Sequence, residues 1–116
     1  MGMFRDAECQ EIDLVKEMAE ALGSTGLRLD EALEKIEAVR LELEDLFTRR
    51  QCVGSGPARS DTPEINDRIR LFNSLVDKAE DIRRWLLIQR EAIGFRTHRE
   101  VERHYPIPSK MKLLAS

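Results

Sequence analysis

Residues 63–93, PEINDRIRLFNSLVDKAEDIRRWLLIQREAI, hold the longest unbroken helical period in the chain and its only tryptophan. Ile65, Ile69, Phe72, Leu75, Val76, Ala79, Ile82, Leu86 and Ile93 recur at helical spacings, which sets them on one stripe of a 3.6-residue helix. A strand would require alternation, and there is none. Asp61 or Thr62 can cap the first free N–H groups, Pro63 suits the first turn, and Glu64 complements the positive end of the helix dipole. Gly94 supplies the stop.

Outward from this stretch, the next clear period lies upstream. Leu29, Ala32, Ile36, Val39, Leu43 and Leu46 alternate as the apolar places of a heptad, which predicts a helix over about 30–51 with Asp30 at its start. Leu33, Leu41 and Phe47 widen the stripe beyond a two-stranded seam, so packing inside a bundle is expected. Glu31 with Lys35 and Asp45 with Arg49 are four-residue ion pairs. A further helix is expected over 4–22, where Ile12, Val15, Ala19 and Leu22 form a stripe above an acidic face. The segment GSTG at 23–26 reads as a turn, because two glycines and two hydroxyls favour turn backbone. Residues 53–61, VGSGPARSD, read as a loop between antiparallel neighbours.

These elements define an all-α fold: an antiparallel hairpin of two long helices, an N-terminal helix that makes it bundle-like, and a short C-terminal helix. One domain over 1–105 is expected, followed by an extended tail over 106–116. Thr97 to Glu100 has the form of a capping box opening a helix over 97–104, and the prolines at 106 and 108 favour extended backbone afterwards. With 35% charged and 5% aromatic residues the composition suits helices better than a sandwich or barrel.

At about 1.5 Å per residue, a helix over 63–93 outruns one over 30–51 by about two turns. That overhang is where the pattern changes. Trp85, Leu86, Leu87 and Ile88 are consecutive and point apolar side chains around most of the circumference. Each large side chain left wet forgoes about 1.5–3 kcal/mol. Phe95, Val101, Tyr105 and Ile107 can fold back over them, or a second subunit can cover them. Trp85, Leu86, Ile88, Arg84, Ile93 and Phe95 are therefore the expected interface, with arginines rimming an apolar anchor.

Residues 1–57 hold 7 Lys and Arg against 13 Asp and Glu, while 58–116 hold 12 against 9. The alternative reading places nucleic acid on Arg96, His98, Arg99 and Arg103, in a helix-turn-helix-like outline around Gly94. The acidic pI near 5.5 weighs against it, since phosphate neutralisation needs a denser positive face. His98 and His104 have zinc-like spacing, but neither cysteine has a neighbouring cysteine and six residues of helix turn the imidazoles well apart. No Walker loop, dinucleotide fingerprint, nucleophile elbow or Glu-x-x-His is present. The expectation is a non-catalytic interaction or scaffold protein that self-associates or binds a helical partner, without cofactor, metal, small-molecule substrate or membrane contact. Cys9 and Cys52, read as reduced, and the N-terminus MGMFRDAECQ, which lacks the blocks of a signal peptide, place it in the cytoplasm.

Overall fold

The computed structural model describes residues 2–52 and 61–115, with side chains described for 13–51 and 61–115. The readings of Ile12, of Cys9 and the Cys52 side chain, and of the 53–60 connection lie outside these described residues. The fold is helical: α1 spans Gly2–Cys52, α2 Thr62–Ile93 and α3 Arg99–His104, with no strand among the described residues. The two long helices contact each other as the arms of a helical hairpin.

The chain divides into two compact units. One holds residues 31–80 with the tail 107–116, the other residues 1–30 with 81–106. Each contains a part of α1 and a part of α2 running in opposite directions. In the first, the heptad residues Ala32, Ile36, Val39 and Leu43 are buried together with Ile65, Ile69, Phe72, Val76 and Ala79 from α2. These are most of the places that the sequence periods define in this unit; Leu46 and Leu75 of the same stripes are half-buried. Asp45 pairs with Arg49 at 2.8 Å, while Glu31 and Lys35 form no ion pair. Arg68 reaches across to Glu42 at 3.3 Å, and such exposed pairs contribute about 0–1 kcal/mol.

In the other unit the structure corrects the sequence reading. GSTG does not turn the chain: α1 is a single helix of 51 residues, and no separate N-terminal helix exists. Thr25 is buried, and its Oγ1 donates to the Ala21 carbonyl one turn back at 3.0 Å, so the hydroxyl is satisfied within the helix instead of diverting it. Gly26 is buried for a tertiary reason. A Cβ built there would lie 2.9 Å from the Tyr105 hydroxyl, so the missing side chain is what admits Tyr105. The Tyr105 pKa is raised, first by burial and then by the nearby Asp30 carboxylate.

Gly23, by contrast, meets nothing within 4 Å. Gly23→Ala is therefore expected to stabilise the chain by about 0.5–1 kcal/mol through helix propensity alone. Gly26→Ala is expected to lose that gain to displacement of Tyr105. Urea midpoints of the two variants check this, and equal stabilisation by both would contradict the Tyr105 contact.

The continuous α1 also removes the overhang argument. With 32 residues, α2 is the shorter helix, and its last part, from Asp81, packs in one unit with residues 1–30 of α1. Gly94 ends α2 as expected, with φ at +111°. The Gly94 N–H donates to the Glu91 carbonyl and the Phe95 N–H to the Arg90 carbonyl, both at 3.0 Å, which together form a Schellman motif. The Thr97 capping box does not form. His98 is the N-cap of α3, no side chain caps it, and its carbonyl accepts from Val101 and Glu102.

Candidate interaction surface

The four consecutive apolar residues of α2 have different fates. Leu86 is 4% exposed, Leu87 is half-buried, and Trp85 and Ile88 are 52% and 48% exposed. The split follows from helix geometry: successive residues turn by about 100°, so only one of the four can point squarely at α1. Trp85 and Ile88 are three apart, and exposed Ala92 follows four residues later, giving an outward apolar stripe one heptad long. The residues upstream on the same line are Lys78 and Asp81, both exposed, so the stripe begins at Trp85.

What covers Leu86 is the chain itself. Val101, the one buried residue of α3, lines with Leu86 an open cleft of ≈ 420 Å³ whose α1 wall is Ala19, Leu22, Gly23 and Gly26. Tyr105 seats against Gly26 at the same place. The titratable groups around the cleft, Asp30, Arg90, Glu100, His104 and Tyr105, make no hydrogen bonds to one another.

The rim is built from the turn after α2. Arg90 holds its guanidinium 4.4 Å from the centre of the Phe95 ring and donates from Nη2 to the Thr97 carbonyl at 3.2 Å. Phe95 itself remains 47% exposed, and Ile93 is half-buried. Arg84 is exposed and bonds to Asp81 of its own helix at 3.0 Å. Glu91 meets His98 Nε2 at 3.1 Å. The interface residues expected from sequence thus lie in one unit, with Leu86 inside and Trp85, Ile88, Arg84 and Phe95 outside.

Two further exposed apolar positions on α1 were missed as a surface. Leu14 and Val15 are 57% and 56% exposed, although Val15 falls on the helix line that becomes core downstream. Among the described residues, six of the nine large exposed apolar side chains belong to this unit: Leu14, Val15, Leu27, Trp85, Ile88 and Phe95. Of the residues in the alternative reading, Arg96, Arg99 and Arg103 are exposed and His98 is half-buried. Helix α3, which would have to read a groove, has six residues and carries Glu100 and Glu102 in its first turn.

No family model, curated protein or solved structure matches the chain. Among the described residues no helix is long and apolar enough to cross a membrane, and no three His, Cys, Asp or Glu side chains stand together as a metal site.

Proposed function

We propose that the protein is a small non-catalytic interaction protein of the cytoplasm that self-associates through the Trp85 end of α2. The observation that carries this reading is the stripe of Trp85, Ile88 and Ala92, apolar and outward-facing while Leu86 beside it is buried. A half-exposed tryptophan next to arginine is the composition of an interface anchor, not of a solvated helix face. Charge supports a second copy as the partner. Residues 1–30 hold 3 Lys and Arg against 7 Asp and Glu, and residues 81–106 hold 6 against 4. In a two-fold dimer the acidic, apolar Leu14–Val15 part of one chain meets the arginine-rimmed Trp85 stripe of the other, and the reverse, so both contacts are complementary.

Mass measurement in solution across a concentration series tests the reading. A dimer is expected for the unaltered chain, and Trp85→Ser with Ile88→Ser is expected to shift it to monomer. Because the tryptophan is unique, its emission is expected to move to shorter wavelength as concentration rises. A monomer at every concentration, with emission unchanged, would remove the proposal.

A further inference from the structure

The tail packs on α2 through a pattern that neither the core nor the Trp85 stripe uses. Asn73 donates from Nδ2 to the Met111 carbonyl at 2.9 Å and accepts the Met111 N–H on Oδ1 at 2.8 Å. Asn66 does the same with Leu114, donating to its carbonyl at 3.1 Å and accepting its N–H at 2.7 Å. One ion pair completes the set, Lys110 Nζ to Asp77 Oδ1 at 2.5 Å. A side-chain amide carries both a donor and an acceptor in the arrangement of a peptide group, so each asparagine treats the tail as a neighbouring strand would.

The registers match. Seven residues of helix between Asn66 and Asn73 advance about 10.5 Å. Three residues of extended chain between Met111 and Leu114 advance about 9–10 Å. The tail therefore runs antiparallel to α2 with every second turn of helix meeting every third residue of peptide. Four of the five contacts go to backbone atoms, and only Lys110 is read by its side chain. Such a site selects an extended conformation with one cation, and it does not depend on the peptide being joined to the same chain.

We propose that Asn66, Asn73 and Asp77 form a binding site for an extended basic-apolar peptide, that the tail fills it in cis, and that the same segment of a second copy can take its place. Exchange of an identical element between copies keeps every contact and alters only which molecule supplies it. The site shares no residue with the Trp85 stripe, so its success or failure is separate from that of the self-association proposed above.

The test is fluorescence anisotropy of a labelled peptide with the sequence of residues 106–115, titrated with full-length proteins. Met111→Pro with Leu114→Pro removes the two N–H donors of the resident tail while keeping it extended, which frees the site. This variant is expected to bind the peptide, and the unaltered chain to bind it more weakly because its own tail competes. Adding Asn66→Ala and Asn73→Ala is expected to weaken binding at least about tenfold. Lys110→Glu alone, an exposed change that loosens the tail without proline, is expected to fall between the unaltered chain and the proline variant. Trp85→Ser is expected to leave all of these affinities unchanged. No binding to either tail-weakened variant, or binding indifferent to the two asparagines, would overturn the proposal.

Discussion

Phe72→Ala is expected to lower the free energy of unfolding by about 3–5 kcal/mol, a large share of the roughly 5–15 kcal/mol that holds a domain together. Phe72 is the largest fully buried side chain among the described residues, at 1% exposure, in the unit where Ile36, Val39, Leu43, Ile69 and Val76 are also closed off. Truncation removes an aromatic ring from the buried core of this unit, and the surrounding structure relaxes only partly into the void. The neighbouring residue provides the control. Leu71 is 40% exposed, and Leu71→Ala is expected to cost under about 1 kcal/mol. Urea unfolding followed by circular dichroism distinguishes them, with the midpoint falling sharply for Phe72→Ala at an unchanged slope. Similar losses from both substitutions would mean that Phe72 does not sit at the centre of the packing.

The same periodicity explains how far the sequence was legible. The Ile65, Ile69, Phe72, Val76, Ala79 line and the Ala32, Ile36, Val39, Leu43 line are both buried, because a stripe repeated over several turns leaves only one face to cover. The GSTG segment failed for an instructive reason. Composition favoured a turn, yet the steps from Val15 through Met18, Leu22, Thr25, Leu29, Ala32 and Ile36 alternate three and four without a break. A heptad that keeps its phase across two glycines belongs to one helix. Two glycines cost about 1 kcal/mol each, less than the loss of a shared seam on both sides. The need for glycine at position 26 came from Tyr105, 79 residues away, and no local rule carries that information.

The surface was legible in part for a related reason. Four consecutive apolar residues announce that some must face away from the hairpin, and Trp85 and Ile88 do. Which two would remain outside depended on the phase of the core stripe and on α3, whose seat was set by Val101. The tail site left a fainter trace. Asn66 and Asn73 are one heptad apart and half-buried, but on a helix with many polar residues they read as solvated positions. Their significance depends on an extended tail lying beside them, and that tail is recognisable only through Pro106 and Pro108.

Val101→Asp is expected to release α3 while leaving the Phe72 core intact, and the contrast with Phe72→Ala is the informative part. A helix of six residues is too short to persist alone, so α3 exists because it is docked. Its docking rests on Val101, at 3% exposure and lining one cleft with Leu86, and on Tyr105 against Gly26. An aspartate at 101 would place an unpaired carboxylate in this apolar contact, and the chain avoids that cost by letting the segment go. Wetting Leu86 and losing the valine together forgo about 3–6 kcal/mol as an upper bound, at about 1.5–3 kcal/mol for each side chain. The loss is local. In hydrogen exchange the Val101, Glu102 and Tyr105 amides, which donate to the His98 and Val101 carbonyls, are expected to lose protection. Amides between Ile65 and Val76 are expected to keep theirs, whereas Phe72→Ala lowers protection there. Retained protection at Tyr105 in the aspartate variant would show that α3 is held by something other than Val101.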